Sequence, residues 1–136
     1  MIRKLMIINN QFVDSVNGEY LEVINPATEE KMGEVPRATK EQVEEAVKSA
    51  HKAFQAWSKL TPFDRARYMH KAADIIEQKA EEIGRVLTAE EGKPLKEGVS
   101  EVKGSAEVIR YFAEGAKRVF GEIIPLNKSN IESLVI

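Results

Sequence analysis

From Thr39 to about Phe120, apolar side chains recur at three- and four-residue intervals with charged residues between them, a helical pattern broken once at Glu90-Glu91-Gly92-Lys93-Pro94. Short strand-like runs flank this block. Leu5 to Val13 sets Leu, Met, Ile, Ile, Phe and Val around Asn9-Asn10, which predicts a tight hairpin because Asn tolerates positive φ. Asp14-Ser15-Val16-Asn17-Gly18 is a second turn. It leads into a strand over Tyr20 to Ile24, stopped by Asn25-Pro26, and Lys31 to Val35 is a weaker strand closed by Pro36.

Thr39-Lys40-Glu41-Gln42 fits a capping box at the start of the first helix. Val43, Ala46, Val47, Ala50, Phe54 and Trp57 follow on one side, with Glu41, Glu44, Glu45, Lys48 and Lys52 on the other, so the expectation is one buried face and one wet face. Thr61-Pro62 opens a second helix, with Asp64 in its first turn. Met69, Ala72, Ala73, Ile76, Ala80, Ile83 and Leu87 keep one register, which leaves open whether Lys79 divides it. Gly92 suits a left-handed cap, and Pro94 forbids continuation.

From Leu95, the positions Val99, Val102, Ala106, Ile109, Phe112 or Ala113, Ala116 and Val119 predict a further long helix ended by Gly121. Gly98, Gly104 and Gly115 lie inside it. Each costs about 1 kcal/mol relative to Ala, so a close backbone approach is expected at one of them at least. Glu122 to Leu126 and Ser133 to Ile136 are extended segments around the polar turn Asn127 to Asn130.

The expected architecture is α+β: N-terminal hairpins (1–38), a helical block of three to four long amphipathic helices (39–121) and the start of a β-ribbon (122–136), together one incomplete domain. The apolar run at Ile136, with no polar tail, is expected of a truncated chain or of a strand that pairs with something else.

Composition changes this picture little. At 136 residues the chain is one domain's worth, with 43% hydrophobic and 31% charged residues. Twenty basic residues against 22 acidic ones, interleaved in sequence, leave a net charge of −2 and no footprint for nucleic acid or an anionic membrane. There is no Cys, which excludes disulfides, thiolate metal sites and a Cys nucleophile in this chain, and a cytoplasmic location is the simplest expectation. The basic-then-apolar start, Met1 to Ile8, ends at Asn9-Asn10-Gln11, too soon for an export signal. No window reaches the roughly 18 apolar residues of a membrane helix.

Candidate chemistry is sparse. His51 and His70 lie in different helical segments without an i+3 or i+4 partner of ligand type, so a solvated or packed role is expected. Gly92-Lys93 lacks the rest of a phosphate-binding loop, since Thr88 and Pro94 stand where Gly and Ser or Thr belong. Glu90 and Glu91 sit at a helix C-terminus, where the macrodipole disfavours carboxylates, and local charge balance with Lys93 outweighs a cation site as their explanation. No catalytic, cofactor-binding or metal-binding residue is assigned.

The order of motifs is more specific than any one of them. Ile24-Asn25-Pro26-Ala27-Thr28, Gly33-Glu34-Val35, Ala46 with Ala50, Phe54, Trp57 and Ser58, Pro62 with Arg65 and Ala66, Ala73-Asp74-Ile75-Ile76, Glu91-Gly92-Lys93-Pro94-Leu95 with Glu101-Val102, Arg110-Tyr111-Phe112-Ala113, and Gly121-Glu122-Ile123-Ile124-Pro125 follow one another over nearly the whole chain. In that order they resemble the N-terminal part of the NAD(P)-dependent aldehyde dehydrogenase superfamily.

The resemblance implies hairpins and helices that pack on a dinucleotide-binding domain, and, from Glu122, the start of the ribbon through which subunits associate. The family's oxyanion Asn, Cys nucleophile, Glu base and cofactor cleft would all lie beyond Ile136. Some members hold a structural cation near the position of Glu90. The expectation is therefore a fragment inactive alone, from a parent that oxidises an aldehyde to an acid with NAD or NADP, with no cofactor bound by this chain itself. Its expected partners are the rest of the dehydrogenase or further copies of itself, and neither nucleic acid nor membrane. Two alternatives stand beside it: an autonomous helical interaction module with an exposed apolar patch including Trp57, Phe112 or Phe120, and one half of a split dehydrogenase.

Overall fold

The computed structural model describes residues 2–135; expectations that fall on Met1 and Ile136 lie outside them. Twelve elements follow in order: strands β1 (Ile2–Arg3), β2 (Met6–Ile8), β3 (Gln11–Val13), β4 (Tyr20–Ile24) and β5 (Lys31–Pro36), helices α1 (Lys40–Trp57), α2 (Pro62–Gln78), α3 (Ala80–Glu91) and α4 (Leu95–Gly115), a 3-10 turn (Ala116–Arg118), and strands β6 (Glu122–Pro125) and β7 (Glu132–Val135). This is the α+β architecture expected.

The hairpin β2–β3 pairs Met6 with Val13 and Ile8 with Gln11. Both loop residues take positive φ, 51° at Asn9 and 60° at Asn10, the conformation that a two-residue turn matching strand twist requires. In the second sheet β5 lies between antiparallel β4 and parallel β1, with Leu21 opposite Val35 and Ile2 opposite Gly33. The parallel β1 was not foreseen. Two residues carry no periodicity, and their pairing is set by β5.

Both expected helix starts form. Thr39 Oγ1 accepts from the Gln42 amide while Gln42 Oε1 accepts from the Thr39 amide. Thr61 Oγ1 accepts from the Asp64 amide, with Pro62 as the first helical residue. Lys79 does divide the stretch, at φ −98° and ψ 12°, so that α2 ends and α3 begins there as two segments of one rod. Gly92, at φ 76°, caps α3 in the left-handed conformation.

The helix from Leu95 ends earlier than expected, at Gly115 instead of Gly121. Lys117 Nζ reaches back to Glu114 (2.8 and 3.0 Å) and lies 5.8 Å from the centre of the Phe63 ring, tightening the last turn into 3-10 geometry before Val119 turns extended.

α4 runs antiparallel along the α2–α3 rod. Asp74 faces Arg110, and His70 faces Glu114. The seam is small: Ala66, Ala73 and Ala80 recur every seventh residue against Val99, Ala106 and Ala113, all 9% exposed or less. Methyl-sized side chains let the backbones come close. A Cβ at Gly84 would lie 2.6 Å from Val99 Cγ2 and 2.9 Å from Val99 Cα, and one at Gly98 would lie 2.9 Å from the Gly84 carbonyl oxygen. The close approach expected at one of three glycines is at Gly98, while Gly104 and Gly115 have open space around them in this chain.

α1 departs from its expected burial. Val43, Val47, Phe54 and Trp57 are all more than 40% exposed, and its buried residue is Gln42, whose Nε2 donates to the Asp14 carbonyl at 2.8 Å. The apolar face exists, but the described elements cover it only in part, through a limited contact with β2 and the ring of Tyr68 on α2 against Trp57.

Candidate functional surface

Two junctions bring the sequence motifs together. In the first, Gly92 packs on the Asn25-Pro26-Ala27 turn: a Cβ there would lie 3.0 Å from Pro26 Cγ and 3.4 Å from the Ala27 nitrogen. That turn is closed by Asn25, whose Oδ1 accepts from the Ala27 amide (2.9 Å) and whose carbonyl accepts from Glu29 (2.8 Å). Lys93 Nζ then pairs with Glu91 (2.5 Å) and with Glu101 on α4. The Glu101 and Glu91 hydrogen bonds together raise the Lys93 ammonium above its ordinary value. Charge balance with Lys93 is thus the explanation for Glu91.

Glu90 is exposed and borders a cleft of about 90 Å³ between α3 and the β1–β5–β4 sheet, with Lys4 and Glu34 in the lining. Among the described residues, no three His, Cys, Asp or Glu side chains cluster to hold a metal.

The second junction is electrostatic. Arg110 on α4 binds Asp74 (2.8 Å) and Glu77 (2.6 Å) on α2, which raises its already high pKa further, Asp74 contributing first. One turn along, His70 Nε2 lies 2.8 Å from Glu114 Oε1, so His70 has a structural partner, while His51 is exposed. The Lys117 and His70 contacts hold the Glu114 carboxyl below the usual range, Lys117 foremost. Both pairs lie at the periphery of the alanine seam and fix its register.

A cleft of about 820 Å³ along the outer face of α4 is lined by Glu101 and Glu107 beside Val108 and Tyr111. The second, about 690 Å³ between α1 and α2, is lined by Ala50, Ala53, Phe54, Ala56, Trp57, Leu60 and Tyr68 and offers no charge at all.

What the molecule does present is apolar surface. Trp57, Phe112 and Phe120 are 41, 61 and 79% exposed, joined by Phe54, Phe63 and Tyr111. Trp57 and Tyr68 rings meet at 5.8 Å, and Tyr111 and Phe112 at 5.5 Å edge to face. The β6–β7 ribbon pairs Ile123 with Leu134 and has nearly every residue exposed, on both faces. Total accessible surface is 10737 Å². A compact monomer of 15.3 kDa is expected to expose about 7,100 Å². The excess accompanies a small core of Ile8, valines and alanines, and among the described residues no large side chain is fully buried.

The comparisons with known proteins agree. Residues 12–136 match the family model described as the aldehyde dehydrogenase family. The chain is 40% identical over its whole length to the mitochondrial succinate-semialdehyde dehydrogenase of Oryza sativa subsp. japonica, and 33% identical to the NADP(+) succinate-semialdehyde dehydrogenase of Escherichia coli (strain K12). It spans 26 and 28% of those two proteins. Among solved structures it superposes with a TM-score of 0.89 on an NADP-dependent glyceraldehyde-3-phosphate dehydrogenase from Bacillus halodurans C-125, at 28% identity, covering 98% of this chain and 28% of that one. An aldehyde dehydrogenase from Brucella melitensis biovar abortus 2308 gives 0.85 at 36% identity, covering 90% of this chain and 26% of that one. The chain belongs to the aldehyde dehydrogenase family, and corresponds to its N-terminal part.

Proposed function

We propose that this chain is the N-terminal scaffold of an NAD(P)-dependent aldehyde dehydrogenase, inactive alone, whose parent oxidises an aldehyde to a carboxylic acid. The observation that carries this is the excess of about 3,600 Å² of accessible surface over that of a compact chain of its mass, with exposed large apolar side chains on α1, α4 and the β6–β7 ribbon among others. An area of that size exceeds the roughly 800 Å² per side of an ordinary protein–protein contact. It suits the packing of one part of a large subunit on the rest. In this proposal, residues 1–38, 39–121 and 122–136 are three parts of one incomplete domain, and the cofactor, NAD or NADP, belongs to the remainder of the subunit. Catalytic, cofactor and metal residues are assigned to none of these positions; the absence of Cys from the chain supports this for the nucleophile.

The test is a rate assay of the isolated chain with NAD⁺ or NADP⁺ and a panel beginning with succinate, glutarate and malonate semialdehydes, the substrates named for relatives. No reduced cofactor is expected, and turnover with any of them overturns the assignment. The cytoplasm is the proposed compartment, resting on composition alone, and fluorescence of a tagged parent in intact cells tests it. No described helix is long and apolar enough to cross a membrane.

A second proposal, a non-catalytic module that associates through β6–β7, is favoured by that ribbon's two exposed edges. Sedimentation of the isolated chain separates the two: concentration-dependent self-association lost on an Ile123→Lys change supports the module, and a monomer at high concentration removes it.

A further inference from the structure

The turn that precedes β4 does more than connect strands. Tyr20 donates its hydroxyl to Asp14 Oδ1 at 2.7 Å, Gln42 Nε2 donates to the Asp14 carbonyl at 2.8 Å, and the Arg37 amide donates to the Glu19 carbonyl at 2.9 Å. Ser15 Oγ lies 2.7 Å from Asn17 Oδ1 and 2.8 Å from the Arg37 carbonyl, so its single proton serves one acceptor at a time. Through Gln42 these bonds tie the first turn of α1 to residues 14–19, and through Arg37 they tie the segment leading to it.

Asn17 in this turn is followed by Gly18, and both are exposed. A Cβ at Gly18 would meet nothing within 4 Å, so no other part of the chain crowds that face of the residue. The Gly18 amide is weakly engaged, donating to the Ser15 carbonyl at 3.4 Å, well beyond the usual 2.9 to 3.0 Å. The other asparagines are less suited to attack by the following amide. Asn9, Asn10, Asn127 and Asn130 precede residues whose side chains crowd it, and Asn25 precedes Pro26, which has no amide proton to lose.

We propose that Asn17-Gly18 is a self-modification site, at which the Gly18 amide nitrogen attacks the Asn17 side-chain carbonyl and the turn matures to aspartate and isoaspartate, slackening the tether of α1. The Gly18 amide proton goes to hydroxide as the new N–Cγ bond forms, and the Cγ–Nδ2 bond breaks as the departing nitrogen takes a proton from water, which releases ammonia, restores the hydroxide and leaves a cyclic succinimide. Water then opens the ring at either carbonyl. The net change is hydrolysis of one amide, with no oxidant or reductant. Opening at the main-chain carbonyl moves the backbone through Cγ, adding a methylene to the turn and replacing the Oδ1 acceptor that faces Ser15 and the Glu19 amide (3.3 Å).

The 136-residue chain is held in mildly alkaline buffer, and isoaspartate is located by methyltransferase labelling and peptide mapping, beside an unstructured peptide covering residues 14–19. Asn17 is expected to convert before every other asparagine, within tenfold of the peptide's rate, and Asn17→Gln is expected to abolish the label. Conversion of another asparagine first overturns the proposal. So does a native rate more than tenfold slower than the peptide, which would mean that the turn adds about 1.4 kcal/mol or more to the barrier. Amide exchange over α1 reads the consequence: faster exchange in the converted chain is expected, and unchanged exchange overturns the link to α1.

Discussion

Adding one methyl group to each of two glycines should move stability in opposite directions. At Gly84 the new Cβ lies 2.6 Å from Val99 Cγ2 and 2.9 Å from both Val99 Cα and Val99 N. Two of those three atoms are backbone, so no side-chain rotation relieves the clash, and α3 must move away from α4. Overpacking of this kind costs about 1–3 kcal/mol, offset by about 1 kcal/mol from replacing Gly by Ala in a helix. Gly84→Ala is thus expected to lose about 1 kcal/mol net. Gly104 has nothing within 4 Å of its Cβ position, so Gly104→Ala keeps the propensity gain of about 1 kcal/mol. The two variants should differ by about 2 kcal/mol in urea unfolding, read at the transition midpoint with a common slope. If Gly84→Ala stabilises the chain as much as Gly104→Ala, the α3–α4 contact described here is wrong.

Removing the cap hydroxyl with Thr39→Ala should cost about 1 kcal/mol, visible as a lower thermal midpoint, while Thr39→Ser should keep most of the stability. Glu29 holds φ at 59°, in the left-handed region, and Glu29→Gly should raise the urea midpoint by the equivalent of about 0.5–1 kcal/mol. Glu114 has a lowered pKa in the folded chain, so the unfolded state binds more protons near the ordinary carboxylate value of about 4.3. Its contribution is present above that value and lost as pH falls through the folded one. Glu114→Gln should therefore flatten the acid limb of stability against pH, and an unchanged limb would refute the contacts of Glu114 with Lys117 and His70.

Legibility in the sequence followed locality. Thr39 with Gln42, Thr61 with Pro62, Asn9-Asn10 and Gly92 each act within a few residues, and each sits where the pattern placed it. The division of a continuous register at Lys79, and the alanine seam, were not legible. Ala73 and Ala80 stood on the apolar register, but that α4 meets them with Val99, Ala106 and Ala113, and that Ala66 joins them, shows only in the packing, and Gly84 carries no signal apart from its distance to Val99. The α1 face misled for a physical reason: hydrophobic periodicity records that a face is to be covered, not that the covering element lies in the same stretch of chain. The surface itself was partly foreseen, since Trp57, Phe112 and Phe120 are all exposed. Asp74 and Arg110 stood in separate motifs, and only the antiparallel packing of α2 and α4 made them a pair.

The central claim is that this chain is a scaffold to be completed by the remaining three-quarters of a dehydrogenase subunit. Coexpression with a polypeptide supplying that remainder, taken from a relative such as the Oryza sativa enzyme from the residue that aligns after Ile136, followed by co-purification and an aldehyde-dependent NAD(P)⁺ reduction assay, tests it directly. The account predicts a stable complex that reduces the cofactor, with neither part active alone, and loss of the complex when Phe112 and Tyr111 are both changed to Lys. Failure of the two parts to associate, or cofactor reduction by this chain alone, would contradict it.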